Sequence, residues 1–151
     1  MAGVSRTVAC LRFGGDDLDP DEISSVLGRE PTYARRKGDV WLTPKGLRRV
    51  AKSGIWILNT DDAEPGDLDQ QVAALFSGLS EDFSIWRNFA RLYGGDIYTG
   101  VFLSQSNEGL SISPLTLNSI GVRGLEFGLD IYSNTDDDQK GVSEVADETL
   151  D

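Results

Sequence analysis

The side chains best placed to do chemistry in this chain are carboxylates and guanidinium groups, because the sequence contains no histidine and only one cysteine, Cys10. Without an imidazole base, Ser-His-Asp and Cys-His nucleophilic mechanisms are excluded. One thiol forms no internal disulfide and supplies too few ligands for an ordinary zinc site. The composition therefore predicts no metal site and no cofactor, and it weighs against catalysis without excluding it.

The spacing Asp17-x-Asp19-x-Asp21 suggests a calcium-binding loop. An EF-hand loop that begins at Asp17 requires Gly at its sixth position and Glu at its twelfth, where this chain has Glu22 and Gly28. The motif fails at both positions. We interpret these carboxylates instead as the start of a helix, where they cap free N–H groups and offset the helix dipole.

A basic segment, residues 29–52, is the sharpest candidate for a binding site. It has eight basic and two acidic side chains (8 − 2 = +6) in a chain of net charge -11. Its Arg and Lys hydrogen-bond donors, next to a Gly turn and an indole side chain, are suited to binding an anion, a phosphate or an acidic protein surface. The alternative interpretation is a solvated face that balances the surrounding carboxylates. The residues assigned to partner binding are Arg35, Arg36, Lys37, Asp39, Trp41 and Trp56.

Further cations follow within the same segment, with Leu47 and Val50 between them; they are Lys45, Arg48, Arg49 and Lys52. For Trp41, stacking on a cation of the same chain is the alternative to a partner contact. Trp56 alternates with Ile55 and Ile57, which predicts that it lies on the more exposed face of its strand.

Periodicity and capping residues predict the elements that position these residues. Asp19, Pro20 and Gly28 mark the start and end of the first helix, Asp67 caps the second, and Ser113 the fourth. The predicted strands are 5–13, 32–42 (irregular), 54–60, 97–104 and 125–132, and the predicted helices follow Asp19, Asp67, Ser80 and Ser113.

This order predicts an α+β fold in which helices cover one face of a mainly antiparallel sheet. The core resembles the ferredoxin-like βαββαβ arrangement with an extra helix and strand. Residues 1–133 are predicted to form one domain. Residues 134–151 are acidic and lack aromatics, which predicts a flexible tail; its charge (1 − 7 = −6) also predicts an interaction with the basic segment.

Six short motifs occur in order along the chain: Gly15–Ile23, Leu27–Thr32, Arg36–Asp39, Gly54–Trp56, Gly109–Pro114 and Asp130–Tyr132. Together they resemble a bacterial family known as domain of unknown function 4279, over about residues 5–132. The tail departs from the pattern. The resemblance implies a bacterial source and a compact domain, and it implies no activity.

The expected function is a non-catalytic binding module for another protein, in the manner of toxin-immunity proteins. One alternative is a small-molecule or phosphate-binding domain, or an enzyme, that uses Arg36, Lys37 and Asp39. The other is RNA binding through residues 29–52, which the acidity of the chain disfavours. Because no apolar run suits a signal peptide or a membrane span, and the single cysteine suits a reducing compartment, we expect a cytoplasmic protein.

Overall fold

A computed structural model of the chain describes residues 3–133 as four helices and seven strands. The predicted tail at 134–151, and its predicted contact with the basic segment, lie outside the described residues. The strands are β1 (Arg6–Gly15), β2 (Tyr33–Arg35), β3 (Val40–Leu42), β4 (Arg48–Val50), β5 (Gly54–Asn59), β6 (Asp96–Phe102) and β7 (Glu126–Tyr132). The helices are α1 (Pro20–Leu27), α2 (Leu68–Phe76), α3 (Phe83–Tyr93) and α4 (Pro114–Val122).

Five of the strands form one sheet in the order β2-β5-β1-β6-β7. Neighbouring strands are antiparallel except β6 and β7, which are parallel. Strands β3 and β4 pair with each other in a separate two-stranded sheet. The prediction of an α+β fold with a mainly antiparallel sheet is therefore confirmed.

The core lies between one face of the main sheet and the four helices. Alternate residues of β1 are buried on that face, including Leu11 and Phe13, and every helix contributes to the same apolar cluster. Burying this surface supplies the main favourable free energy of folding. Trp86 of α3 is fully buried there, as its place on an amphipathic helix predicts.

Trp56 is fully buried in this core, so the prediction that it lies on an exposed sheet face is wrong. Along β5, Trp56 and Leu58 point to the helices, whereas Ile55 and Ile57 lie on the opposite face. Both faces of this strand are apolar, so alternation alone does not show which face the helices cover. The indole Nε1 donates a hydrogen bond to Ser24 Oγ at 3.0 Å, which satisfies the buried polar group.

The predicted helix boundaries are confirmed where capping residues define them. The side chain of Asp19 accepts a hydrogen bond from the Asp21 amide, and Asp67 and Ser113 cap α2 and α4 in the same way. Gly28 ends α1 with φ of 94°, a left-handed conformation that glycine adopts without a Cβ clash.

Residues 32–42 differ from their prediction as one irregular strand. Residues 32–42 form two short strands in different sheets, because a turn at Gly38 (φ 89°) separates them, and β4 was not predicted. On β7, Phe127 packs against the core, but Leu129 and Ile131 are 46% and 64% exposed. The helices therefore cover only the first half of that strand. Of the four helices in residues 3–133, none could span a lipid bilayer.

Candidate partner-binding surface

Strands β3 and β4 form a hairpin inside the basic segment, and a Thr-Pro-Lys-Gly turn at residues 43–46 joins them. The Gly46 amide donates to the Thr43 carbonyl oxygen at 2.8 Å, and Gly46 has φ of 80°. The Leu47 amide then donates to Thr43 Oγ1 at 3.1 Å. These bonds fix the tip of the hairpin, and its register pairs Val40 with Val50 and Leu42 with Arg48.

Four aliphatic side chains of this hairpin are exposed: Val40 (52%), Leu42 (69%), Leu47 (56%) and Val50 (45%). In an antiparallel pair, directly opposite residues and alternate residues share a face. Val40, Leu42 and Val50 therefore lie on one face of the hairpin, together with Arg48. Clustered exposed aliphatic side chains, unlike scattered ones, mark interaction sites.

The hairpin is also strongly cationic. Residues 40–52 contain four basic and no acidic side chains. Lys45, Arg48 and Lys52 are exposed, and none of them forms a salt bridge with another residue of the described part of the chain. The exposed surface thus combines aliphatic side chains with cations whose charge is available to a partner.

At the base of the hairpin, the predicted binding residues Arg36 and Lys37 contact the acidic loop that precedes α1. Arg36 lies 2.8 Å from Asp19 and 2.7 Å from Asp21, and Lys37 lies 3.1 Å from Asp16. The hydrogen bond from Lys37 lowers the pKa of Asp16 below its usual value. These two cations therefore hold the hairpin to the domain.

Asp39 also has a structural role here. Its side chain accepts a hydrogen bond from the Arg36 amide at 2.8 Å, and the Arg36 carbonyl accepts from the Asp39 amide at 3.1 Å. The Ala51 amide donates to the Asp39 carbonyl, and the Gly38 amide donates to the Ala51 carbonyl, each at 2.8 Å. Asp39 therefore shapes the turn that leads into β3.

Arg35 and Trp41 are brought together as a stacked pair. The Arg35 guanidinium carbon lies 2.9 Å from the centroid of the Trp41 ring and 4.6 Å from that of Tyr33. Both residues are half-buried. A guanidinium over an indole is a favourable cation–π contact, so stacking within the chain, one of the two predicted alternatives for Trp41, is present.

The structure thus divides the six predicted binding residues. Arg35, Arg36, Lys37, Asp39 and Trp41 lie at the base of the hairpin and contact one another or the α1 loop, whereas Trp56 lies in the core. The prediction missed the exposed Val40 and Leu42. Their alternation before a Thr-Pro-Lys-Gly turn, with Arg48 and Val50 after it, was the available hairpin signal.

The sheet face opposite the helices is occupied by contacts within the chain. Arg12 forms two hydrogen bonds with Asp96, at 2.9 and 2.7 Å, and its guanidinium lies 4.2 Å from the Tyr98 ring centroid. Arg6 covers the Phe102 ring at 3.8 Å. These contacts pair Arg12 with Asp96 and cover one face of the Tyr98 ring and one face of the Phe102 ring.

Cys10 lies half-buried on β1, on the face that carries Arg12. Burial raises the pKa of its thiol to about 11. The thiolate is the nucleophilic form of cysteine, so this thiol is unreactive near neutral pH. Among residues 3–133, no group of three or more Asp, Glu or Cys side chains is arranged to hold a metal ion.

Comparison with known proteins identifies the family. A model of the family described as Domain of unknown function (DUF4279) matches residues 5–134, which is most of the chain. No curated protein and no solved structure matched in the corresponding searches. The matched range contains the acidic α1 loop, the hairpin and all five strands of the main sheet. The chain therefore belongs to the DUF4279 family.

Proposed function

We propose that this chain is a non-catalytic protein-binding module, and that the β3–β4 hairpin is its contact surface. One observation carries the proposal: four exposed aliphatic side chains stand among exposed cations on a hairpin separate from the main sheet. A partner that covered the face formed by Val40, Leu42 and Val50 would remove apolar area from water, which favours association. Acidic groups of that partner would face Lys45, Arg48 and Lys52.

The chemistry of the hairpin favours a protein partner over RNA. Proteins that bind single-stranded RNA stack the bases on aromatic side chains. Trp41 is the hairpin's one aromatic residue, and the Arg35 guanidinium covers one face of its ring. The remaining surface is aliphatic, and overall the chain repels polyanions through its net charge of -11.

The small-molecule alternative has less support. It uses Arg36, Lys37 and Asp39, and all three are engaged in contacts with other residues of the chain.

An immunity-protein-like role is a different version of the protein-binding proposal, because it uses the acidic remainder of the surface to neutralise a basic partner. Residues 53–133 carry three basic and eleven acidic side chains (3 − 11 = −8). We further propose a bacterial, cytoplasmic protein.

We also infer a ferredoxin-like core. The support is the order β2-β5-β1-β6 with antiparallel neighbours, and the connection of these strands by α1 and by α2–α3. In this interpretation the β3–β4 hairpin is an insertion between β2 and β5, and α4–β7 is the extra helix and strand. An insertion that projects from a packed core suits a binding role.

The proposal is tested by affinity capture from native-host lysate with three baits: the natural chain, a Leu42→Asp variant, and a Leu115→Asp control. Leu115 lies on α4 and is 79% exposed, so the control adds a carboxylate at an exposed aliphatic site outside the hairpin. Circular dichroism and melting temperature establish that all three baits are folded.

We expect the natural chain and the control to retain the same protein, and the hairpin variant to retain at least about tenfold less, because a carboxylate would enter an apolar contact. Equal recovery by all three baits would contradict the hairpin as the contact surface and would favour the acidic surface. Recovery of RNA instead of protein, abolished by nuclease, would contradict the class of partner.

A further inference from the structure

Strand β7 is the outermost strand of the main sheet, and within residues 3–133 only β6 pairs with it. The opposite edge, β2, has three residues, whereas β7 has seven. Leu129 and Ile131 of β7 are 46% and 64% exposed. A long apolar edge strand is a template for pairing with another strand, and monomeric proteins usually shorten, charge or cover such edges.

The hydrogen bonds to β6 show which backbone groups of β7 face the open edge. The Glu126 amide donates to the Gly95 carbonyl at 3.2 Å, and the Tyr132 carbonyl accepts from the Leu103 amide at 3.0 Å. Even-numbered residues of β7 therefore direct their backbone groups to β6. Since successive residues of a strand alternate, the N–H and C=O groups of Phe127, Leu129 and Ile131 point to the open edge.

We propose that a second copy of this chain pairs with β7 in antiparallel orientation about a two-fold axis at Leu129, which joins the two sheets into one of ten strands. Leu129 then lies opposite the partner's Leu129, and Phe127 opposite the partner's Ile131. Each of these pairs has its backbone groups at the open edge, so each exchanges two hydrogen bonds. The side chains form a continuous apolar row across the interface. This proposal is independent of the hairpin.

The positions of the carboxylates on β7 favour a two-fold axis at Leu129 over an axis at either neighbouring residue. An axis at Gly128 would set Glu126 opposite the partner's Asp130, and an axis at Asp130 would set two copies of that carboxylate opposite each other. Like charges directly opposite are destabilising in a sheet. The axis at Leu129 places Gly128 opposite the partner's Asp130 and pairs all seven residues. An axis between two residues would oppose backbone groups that face different edges.

The charge of the chain gives the dimer a distinctive salt dependence. Each copy has a net charge of -11, so two copies repel each other at low ionic strength. Salt screens this repulsion, because the Debye length falls from about 10 Å at 0.1 M to about 3 Å at 1 M. Salt should therefore strengthen this dimer, whereas it weakens contacts that opposite charges hold together.

The oligomeric state of the full chain tests the proposal by sedimentation equilibrium at low and high salt. We expect reversible dimerisation that tightens with salt and that Ile131→Lys weakens by at least about tenfold, because a charge on an edge strand opposes pairing. Leu92→Lys is the control, since Leu92 lies on α3 and is 52% exposed. A monomer under all conditions, or a dimer that both variants weaken equally, would overturn the proposal.

Two further measurements test which residues of the two copies lie opposite each other, and whether a second copy pairs with β7 at all. In a Cys10→Ser background, Leu129→Cys should form an intermolecular disulfide much faster than Gly128→Cys, because hydrogen-bonded opposite residues have Cα atoms about 5.5 Å apart. Equal rates would overturn the register. A chain truncated after Ser133 should dimerise as the full chain does. Dimerisation of the truncated chain alone would show that residues 134–151 occupy the edge, and would overturn the proposal.

Discussion

Replacing Gln71 with leucine is expected to destabilise the fold by about 2 kcal/mol, because it breaks a buried polar network between α2 and β1. Gln71 is 1% exposed. Its Oε1 accepts from Thr7 Oγ1 at 2.7 Å, and its Nε2 donates to the carbonyl oxygens of Thr7 at 3.0 Å and Asp61 at 2.9 Å. The amide of Asp67, the cap of α2, donates to the same Thr7 hydroxyl at 3.0 Å.

The magnitude follows from what each group loses. Three hydrogen bonds contribute roughly 0.5–1.5 kcal/mol each, and the greater apolar burial of leucine offsets part of their loss. The Thr7 carbonyl keeps its bond from the Ala63 amide, and the Asp61 carbonyl keeps its bond from Thr60 Oγ1. The Thr7 hydroxyl loses its acceptor, and an unsatisfied buried donor costs about 1–3 kcal/mol.

Urea denaturation of Gln71→Leu and of the control Gln70→Leu measures this effect. Gln70 directly precedes Gln71 in α2 and is exposed, so its replacement should change the free energy of unfolding by less than about 0.5 kcal/mol. A double-mutant cycle with Thr7→Val should give a coupling of about 1 kcal/mol, because the two side chains share a bond. Equal stability of Gln71→Leu and Gln70→Leu would refute the reasoning.

Three other predictions concern caps, metals and pH. Asp19→Ala should lower the free energy of unfolding by about 1 kcal/mol through loss of the α1 cap, and Asp17→Ala should not; equal losses in denaturant titrations would contradict this assignment. The melting temperature should be the same in EDTA and in millimolar calcium or zinc, and a rise of several degrees with either ion would disprove metal independence. Hydrogen bonds from Thr116 and from the Ser113 amide lower the pKa of Asp69. These bonds therefore stabilise the folded state above about pH 4, and this stabilisation is lost as pH falls through the folded-state pKa of Asp69. Asp69→Asn should therefore flatten the acid limb of the stability curve, and an unchanged limb would count against it.

Local rules predicted the helix boundaries well, because caps act through neighbouring residues. Asp19 and Gly28 each satisfy a requirement that the adjacent backbone sets. Local rules do not predict the burial of Trp56. Its strand is apolar on both faces, so the helix-covered face depends on how distant elements pack.

For the candidate site too, the sequence indicated the features that depend on local residue types and missed those that depend on tertiary structure. The sequence showed the cations of the basic segment, but the pairing of Arg36 and Lys37 with the acidic loop spans at least 15 residues of chain and depends on tertiary structure. The hairpin was missed because its three-residue strands are too short for a periodicity signal, and because its aliphatic residues resemble a half-buried strand. Exposure of Leu42 follows from the hairpin's separation from the main sheet.

Hydrogen–deuterium exchange of the chain, alone and with its captured partner, tests the central claim most directly, because it locates the contact on the surface. The hairpin account predicts slower exchange at residues 40–50 in the complex, and unchanged exchange at the exposed first turn of α4, which contains Leu115. Unchanged exchange at residues 40–50, with protection on the acidic surface instead, would contradict the hairpin as the partner-binding surface of this domain.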